Sequence, residues 1–294
     1  MFAGFESAVI DVGDTSIFIR RGGHGPPLLL LHGFPETHLM WHRVAPLLAG
    51  RFTVVCADLR GYGSSGKPQS QPDHSSYSKR AMALDMLRVM HEQGFERFGV
   101  VGHDRGARVA YRLALDHAGC VERLAVLDII PTSDAFAHAD ARFALAFWPW
   151  TLLAQPAPLP ESLIAGAPSA VVTDALGNWG SDAAAFPEDI RAAYVAALSD
   201  PTSIHAICEE YRAAATLDLE RDQQDRLASR RIACPLLALW SAGSALDTWY
   251  RDIGGPLTIW RTWAEDVSGR PIAGGHFFPE QNAAETAAEL LQFF

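Results

Sequence analysis

Residues 100–108 read Val-Val-Gly-His-Asp-Arg-Gly-Ala-Arg, a short apolar run that leads into a charged residue between two glycines. The apolar run predicts a buried strand, and the Gly-x-Asp-x-Gly spacing of residues 102–106 predicts a sharp turn into a helix. Such a turn exposes Asp104 at the helix N-terminus, where the helix dipole favours a negative charge. The pattern is that of a nucleophile elbow with aspartate in place of serine. An aspartate before a helix is also a common N-cap residue, so its partners must decide between the two interpretations.

Strands and helices alternate on both sides of this elbow. Residues 7–20 alternate apolar and polar side chains around Gly13, which predicts a hairpin, and Pro26–Leu31 ends in a leucine run typical of a strand buried on both faces. Further strands are predicted at 52–57, 123–127, 234–240 and 258–263, and helices at 79–93, 104–117 and 283–293. The alternation predicts the α/β class, with a mostly parallel sheet flanked by helices.

The alternation stops at Asp128. Residues 132–222 are rich in alanine, tryptophan and proline and carry helical periodicity without a clear buried strand. We therefore predict a core domain made of residues 1–131 and 223–294, with a helical cap domain of residues 132–222 inserted after the strand that ends near Leu127. A cap at the carboxyl edge of a parallel sheet would cover the place where such folds bind ligands.

Composition excludes several classes of function. The 294 residues include 24 Lys and Arg against 34 Asp and Glu, a net charge of −10, which argues against binding to nucleic acids or anionic membranes. The longest apolar tract is far shorter than the ~20 residues that cross a bilayer, and the N-terminus has no basic stretch before an apolar one. Four cysteines without C-x-x-C spacing indicate core thiols and neither a metal site nor disulfides. We expect a cytoplasmic protein without a metal.

An aspartate nucleophile restricts the reaction. A carboxylate that attacked an ester carbonyl would form an anhydride, which is a poor route to hydrolysis. Attack on an sp3 carbon that bears a leaving group instead gives an alkyl ester that water can open, so catalysis is split into two steps. The chemistry of Asp104 thus favours alkyl halides or epoxides over esters and peptides as substrates.

Residues 102–112 resemble the haloacetate (fluoroacetate) dehalogenases of the α/β-hydrolase superfamily. The resemblance extends from His32-Gly-Phe-Pro35 through Asp58-Leu-Arg-Gly-Tyr-Gly63 to Gly274-Gly-His-Phe277, although epoxide hydrolases and haloalkane dehalogenases share these flanking motifs. The two arginines that follow the nucleophile are more specific to the haloacetate dehalogenases than these flanking motifs are. The resemblance implies an α/β-hydrolase fold, a cofactor-free conversion of a small 2-haloacetate to glycolate and halide, and a homodimer.

Arg105 and Arg108 are candidate ligands of the substrate carboxylate. Both lie in the predicted helix that begins at Asp104, where the helix dipole opposes a positive charge, so an anion nearby would compensate. Two guanidinium groups can hold a small carboxylate by charged hydrogen bonds. Pairing with surface carboxylates is the alternative role for these arginines.

His276 is the candidate base. It lies in a glycine-bounded loop near the C-terminus, in the chain order nucleophile, acid, histidine expected of this fold. It would take a proton from the water that opens the ester. Two aspartates could orient it: Asp128, which follows a predicted strand at the position implied by the resemblance, and Asp247, which follows the strand at 234–240. We favour Asp128.

Further roles follow from the resemblance alone. It implies that the backbone amides of Phe34 and Arg105 stabilise the oxyanion, and that the side chains of Trp150 and Tyr211 bind the departing halide. Pro149 lies where related enzymes that cleave carbon–fluorine bonds well commonly have histidine. Because proline offers no side-chain donor, we expect chloroacetate and bromoacetate to react more readily than fluoroacetate.

Two other functions stay open. An epoxide hydrolase would share the Asp–His machinery, with Tyr194 and Tyr211 as candidates to protonate the epoxide oxygen. Such enzymes usually have tryptophan directly after the nucleophile, where this chain has Arg105. A non-catalytic small-molecule binder on the same scaffold would be expected to lack a member of the triad, yet all three residues are present.

Overall fold

A single mixed sheet of eight strands organises the protein. The structure is a computed structural model that describes residues 1–294, the side chain of residue 183 excepted. The spatial order is β1-β2-β4-β3-β5-β6-β7-β8; β1 and β2 are antiparallel to their neighbours, and the other pairs are parallel. The strands are β1 (Glu6–Asp11), β2 (Ser16–Gly23), β3 (Pro27–Leu31), β4 (Thr53–Ala57), β5 (Phe98–His103), β6 (Val121–Leu127), β7 (Leu236–Ser241) and β8 (Val267–Ile272). The predicted α/β class and mostly parallel sheet are confirmed.

Helices cover both faces of this sheet and also form a long segment between β6 and β7. They are α1 (Ala45–Leu48), α2 (Lys79–Glu92), α3 (Asp104–Asp116), α4 (Thr132–Ala137), α5 (Ala141–Ala146), α6 (Trp148–Leu152), α7 (Leu159–Gly166), α8 (Pro168–Asn178), α9 (Glu188–Leu198), α10 (Pro201–Ala213), α11 (Leu219–Leu227), α12 (Ala245–Trp249), α13 (Gly255–Arg261), α14 (Phe278–Gln281) and α15 (Ala283–Phe293). Short 3-10 helices lie at His38–His42, Ser75–Tyr77, Ala183–Ala185 and Arg251–Ile253, and a π-helical turn lies at Ala214–Asp218. No described helix is long and apolar enough to cross a membrane.

The leucine run of β3 shows why the central strands are buried on both sides. Successive side chains of a strand point to opposite faces. Leu29 and Leu31 pack with residues of α2 and α3, whereas Leu28 and Leu30 pack with α1 and α15 on the other face. The two apolar layers hold the strand ends in a fixed register, and the site is built on those ends.

The segment from Thr132 to Leu227, which we call the helical segment, contains α4 to α11 and no strand among its described residues. Its position between β6 and β7 is the one predicted for the cap. The last helix, α11, runs through the boundary predicted at residue 222 and ends at Leu227. The division into a core domain and a cap domain stays a proposal.

The strand predicted at 258–263 is wrong. This part of the chain is helix α13, and the last strand is β8. Pro256 lies in the first turn of α13, where its fixed φ suits a helix, and Ile259 and Trp260 bury one face of it. The strand β8 is hard to detect because it lies at the edge of the sheet, is largely exposed and contains Pro271, which an edge strand tolerates.

Candidate active site

The predicted strand–turn–helix around Asp104 is present. β5 ends at His103, and Asp104 begins α3 with a φ of 44°, a left-handed conformation that strains a residue with a side chain. A Cβ atom at Gly102 would collide with the backbone of Ala107, and one at Gly106 would collide with the carbonyl of His32. The glycines therefore allow the close packing that forces Asp104 outward at the carboxyl end of β5.

Asp128 and His276 meet beside Asp104. His276 Nδ1 donates to Asp128 Oδ2 at 2.6 Å, and His276 Nε2 lies 4.0 Å from Asp104 Oδ2. Asp128 follows β6 and is itself fixed by the Ser241 amide, which donates to its Oδ1 at 2.8 Å. Asp247 instead accepts from Trp240 Nε1 and from a backbone amide of its own loop, both at 2.9 Å. The contact with His276 thus belongs to Asp128.

The Asp104 carboxylate is stabilised as an anion. The Phe34 amide donates to its Oδ1 at 3.1 Å. Burial opposes ionisation, but the electrostatic influence of the neighbouring His276 ring and Arg105 guanidinium outweighs burial and lowers the pKa of Asp104 to about 2. The amide of Arg105 lies in the first turn of α3, where backbone N–H groups lack intrahelical partners. Of the two predicted oxyanion donors, the Phe34 amide contacts this carboxylate directly, and the Arg105 amide belongs to the next residue in the chain.

Arg105 is held behind the site by Glu210. The guanidinium is fully buried, and its Nε and Nη2 both donate to the Glu210 carboxylate, the former at 2.9 Å. Its Nη1 is buried and has no hydrogen-bond partner in the described part of the chain. The guanidinium carbon also lies 3.9 Å from the centre of the Tyr211 ring, a cation–π contact. One nitrogen of Arg105 is thus without a partner, although Arg105, unlike Arg108, is not among the residues that line the cavity beside Asp104.

Arg108 lies directly on the cavity beside Asp104. Its Nη1 donates to the Ile130 carbonyl at 3.0 Å and to Thr132 Oγ1 at 3.1 Å, while its buried Nε has no partner among the described residues. Burial and then the charge of Arg105 lower the pKa of Arg108. The guanidinium carbon lies 4.4 Å from the centre of the Trp150 ring. Two buried arginines close enough to oppose each other's charge make a favourable site for an anion.

A cavity of about 270 Å³ joins these groups to the helical segment. Trp150, Tyr211 and Pro149 all line it, so the residues predicted for the halide pocket lie on the cavity of Asp104. Trp179 also lines it, and the Trp179 carbonyl accepts from the His276 amide at 2.8 Å. The full lining is Asp104, Arg108, Asp128, Ile129, Ile130, Ala135, Phe143, Ala146, Phe147, Pro149, Trp150, Asn178, Trp179, Gly180, Tyr211, Ser244, Ala245, Leu246, Tyr250 and His276.

Comparison with known proteins identifies the family to which this fold belongs. The sequence profile of the alpha/beta hydrolase fold matches residues 26–282. The chain belongs to the alpha/beta hydrolase fold family. A fluoroacetate dehalogenase of Burkholderia sp is 45% identical over 294 residues, covering 100% of this chain and 95% of that protein. This full-length similarity confirms the predicted relationship to the haloacetate dehalogenases of the superfamily.

Other alpha/beta hydrolases are similar over nearly the whole chain. A soluble epoxide hydrolase of Corynebacterium sp. (strain C12) is 31% identical over 92% of this chain and 91% of its own. The crystal structure of a protein from Nostoc sp PCC 7120, classed as an alpha/beta hydrolase, superposes with a TM-score of 0.94 at 48% identity and covers 100% of this chain and 99% of that one. Both epoxide hydrolase and dehalogenase chemistry therefore occur among proteins similar to this alpha/beta hydrolase.

Sequence reasoning missed a buried chain of groups behind His276. His103 Nε2 donates to the His276 carbonyl at 2.8 Å, and Glu36 Oε2 lies 3.1 Å from His103 Nδ1. Burial lowers the pKa of His103 and raises the pKa of Glu36 to about 8. A neutral His103 that donates from Nε2 accepts at Nδ1 from a protonated Glu36. The location of Glu36 directly after the His-Gly-Phe-Pro motif is the one signal that could have pointed to it.

Glu210 is the second group that the sequence did not indicate. It binds Arg105, contacts Lys79 Nζ, and accepts from the Tyr62 hydroxyl at 3.2 Å. Burial lowers the pKa of Lys79 well below its usual range. A carboxylate next to an aromatic residue in a helix carries no pattern that identifies it as the partner of an arginine far away in the chain.

Proposed function

We propose that this protein hydrolyses the carbon–halogen bond of a 2-haloacetate and releases glycolate and halide. The observation that carries the proposal is the Asp104 carboxylate, held as an anion within 4.0 Å of His276 on a cavity that Arg108 also lines. The full-length similarity to a fluoroacetate dehalogenase supports a hydrolase that acts on carbon–halide bonds. The helical segment serves as the cap, and the small haloacid is the partner.

In the first step Asp104 displaces the halide. The Phe34 amide binds Oδ1, so Oδ2 is the oxygen that attacks the halogen-bearing carbon. A carbon–oxygen bond forms as the carbon–halogen bond breaks, and the electron pair leaves with the halide. Arg108 and the free Nη1 of Arg105 hold the substrate carboxylate and reduce its repulsion from the nucleophile. Such positioning can lower the barrier by up to ~7–11 kcal/mol.

The leaving halide enters the aromatic part of the cavity. Trp150 Nε1 and the Tyr211 hydroxyl donate to it in place of the water that hydrates a free halide. Pro149 borders the same space and contributes no side-chain donor. Fluoride depends most on such donors, so chloroacetate and bromoacetate are the better substrates.

In the second step water opens the ester. His276 Nε2 takes a proton from a water molecule that attacks the Asp104 carbonyl carbon, and Asp128 stabilises the imidazolium that forms. The amides of Phe34 and Arg105 stabilise the negative charge on Oδ1 of the tetrahedral intermediate. Collapse of the intermediate breaks the bond from the Asp104 carbonyl carbon to Oδ2, and the departing oxygen takes the proton from His276 to become the glycolate hydroxyl. The Asp104 carboxylate, which now contains one oxygen from water, is restored with release of a proton.

A halide-release assay with fluoro-, chloro- and bromoacetate tests this function, with diol formation from styrene oxide measured in parallel. We expect chloride and bromide release, a lower kcat/KM for fluoroacetate, and little diol. A single turnover in H2¹⁸O should leave ¹⁸O in the peptide that contains Asp104. Product formation without label in that peptide would mean that water attacks the substrate directly and would overturn the two-step scheme.

Epoxide hydrolysis is the second candidate, favoured by the similarity to a soluble epoxide hydrolase. It calls for two tyrosines that face the epoxide oxygen. Tyr211 lines the cavity, but Tyr194 is fully buried, and its hydroxyl donates to Glu280 Oε1 at 2.8 Å. With Tyr194 engaged elsewhere and Arg105 after the nucleophile, the site supports the haloacid better than the epoxide.

A further inference from the structure

The six tyrosines of the chain divide into two groups. Tyr211 and Tyr250 line the cavity beside Asp104. The other four donate their hydroxyl protons to groups of the protein: Tyr62 to Glu210, Tyr77 to the Pro68 carbonyl, Tyr111 to Asp222 and Tyr194 to Glu280. A tyrosine that gives a proton to a bound substrate is therefore Tyr211 or Tyr250.

Tyr211 is the better placed of the two. Its ring packs edge-on against Phe34, with 5.9 Å between the ring centres, and the Phe34 amide binds the nucleophile Asp104. The ring of Tyr250 instead contacts that of His138, with 5.8 Å between the ring centres, and His138 is exposed. Tyr211 thus belongs to the part of the cavity where bonds are broken, and Tyr250 belongs to its outer part.

The surroundings of Tyr211 suit a proton donor. Burial raises the pKa of Tyr211, so the hydroxyl keeps its proton at neutral pH. The Arg105 guanidinium, 3.9 Å from the ring centre, acts against burial and stabilises the phenolate that remains once the proton is given up. A halide leaves as a stable anion and needs hydrogen bonds only, whereas an alkoxide is a strong base and needs the proton itself. Tyr211 therefore offers more than a halide requires.

The buried arginines restrict which oxygen leaving group the site can bind. Arg108 lines the cavity, and its buried Nε lacks a partner in the part of the chain that the structure describes. An uncharged epoxide would leave this guanidinium unpaired after displacing its water, which is costly for a buried charge. An epoxide that carries a carboxylate on a ring carbon presents the same anion as a haloacetate and removes this cost.

We propose that the enzyme also hydrolyses 2,3-epoxy acids, of which glycidate (oxirane-2-carboxylate) is the smallest, with Tyr211 as the acid that protonates the ring oxygen. This inference rests on the proposed function, from which it takes the nucleophile, the base and the arginines. The cavity of about 270 Å³ is large enough, since about 150 Å³ holds a benzene molecule, which has as many non-hydrogen atoms as glycidate.

The bonds follow the haloacid reaction, with the ring oxygen in place of the halide. Asp104 Oδ2 bonds to C2, the carbon that bears the carboxylate, and the bond from C2 to the ring oxygen breaks. The electron pair stays on that oxygen, which remains bonded to C3 and takes the proton of the Tyr211 hydroxyl while Trp150 Nε1 donates to it. Water activated by His276 then opens the ester, and the proton that this step releases restores Tyr211. Glycidate and water thus give glycerate without a net proton.

Three compounds test the inference on the unmodified protein: chloroacetate, glycidate and glycidamide, in which a neutral amide replaces the carboxylate of glycidate. We expect chloride from chloroacetate, glycerate from glycidate, and a kcat/KM for glycidamide at least about tenfold lower than that for glycidate. Chloride release without glycerate would leave the proposed function standing and overturn the inference. Equal kcat/KM values for the two epoxides would overturn selection by the arginines and with it the inference. Activity on none of the three would overturn the proposed function itself.

Oxygen labelling identifies the carbon that is attacked. After many turnovers in H2¹⁸O, the label should lie on the C2 hydroxyl of glycerate, because Asp104 gives up to C2 an oxygen that it took from water in an earlier turnover. The ring oxygen, which is unlabelled, should remain on C3. Label on the C3 hydroxyl would mean that Asp104 attacks the carbon without the carboxylate, and it would contradict the alignment by the arginines.

Tyr211→Phe separates proton donation from halide binding. Glycidate needs the proton, so its kcat/KM should fall about a hundredfold or more, whereas bromoacetate loses one hydrogen bond to a stable anion and should fall about tenfold or less. Tyr77→Phe, at a buried tyrosine that donates to Pro68 and does not line the cavity, is the matched control and should change neither. An equal loss on both substrates in Tyr211→Phe, or a loss on glycidate in Tyr250→Phe instead, would overturn the assignment of the acid.

Discussion

The sheet edge and the helical segment contribute to the same cavity in different ways. Asp104, Asp128 and His276 follow three strands of one sheet, β5, β6 and β8, whose neighbours and register are fixed by the parallel pairing. Trp150 and Tyr211 come from separate helices of the helical segment and meet the sheet edge through their rings, which lie against Arg108 and Arg105. The nucleophile, the acid and the base thus lie at the sheet edge, and the aromatic walls of the cavity lie on the helices.

The difference indicates a division of labour in the proposed mechanism. Bond making needs a fixed geometry between nucleophile and base, which strand ends supply. Choice of halide depends on the groups that line the cavity, which the helices supply. The two regions are joined by buried polar contacts: Arg105 with Glu210, Arg108 with Thr132, and Tyr194 with Glu280. Substitutions on the sheet edge should therefore stop the reaction, and those at the contacts or walls should alter binding.

The largest expected effect is that of His276→Ala. Without the base, the ester on Asp104 should form but open slowly, so kcat for chloroacetate should fall at least about a thousandfold. Mass spectrometry of the quenched variant should find a glycolyl adduct on the peptide that contains Asp104. His24→Ala, at an exposed histidine outside the site, is the matched control and should behave like the unmodified protein. Slow glycolate production by His276→Ala without any adduct would remove the proposed role of the sheet edge.

Arg108→Lys should have the next largest effect. Lysine cannot keep the bonds to Ile130 and Thr132 while presenting a planar fork to the substrate, so kcat/KM for chloroacetate should fall about a hundredfold. Inhibition by glycolate, which shares the carboxylate, should weaken in parallel. Arg142→Lys, at an exposed arginine of the helical segment, is the control. Unchanged kinetics and inhibition in Arg108→Lys would contradict the carboxylate clamp.

The sequence indicates the residues that react at the sheet edge, but few of the buried groups that hold them in position. The elbow at Asp104 could be predicted because a buried strand, two glycines and a helix leave a periodic pattern, and His276 because its loop is bounded by glycines. The strand expected at 258–263 failed because β-branched and aromatic residues also suit a buried helix face. Glu36 and Glu210 were missed because a buried carboxyl owes its role to partners distant in the chain, which no local pattern records.

The smallest effect that we predict concerns the place where the two regions meet. Tyr194 of the helical segment donates to Glu280 Oε1, and the Glu280 carboxyl interacts electrostatically with Glu36, which lies beside His103. Burial raises the pKa of Glu36 to about 8 and that of Glu280 well above its usual range. Between an unfolded pKa near 4.5 and about 8, the folded chain keeps a proton that the unfolded chain loses. Stability should therefore fall as the pH rises through this window.

Glu36→Gln should flatten that dependence. Glutamine stays neutral and can still donate to His103 Nδ1, so unfolding free energies of the two proteins should agree near pH 5 and differ by pH 8, with the variant more stable by about 2 kcal/mol. The full shift corresponds to a larger free energy, but Glu280 also has a raised pKa and interacts electrostatically with Glu36, so one substitution removes only part of the pH dependence. Denaturant unfolding across pH 5–8 measures the difference, and Glu265→Gln, at an exposed carboxylate, is the control. Parallel curves for Glu36→Gln and the unmodified protein would mean that Glu36 is ionised in the fold, and that His103 is held as a cation between the sheet edge and the helical segment.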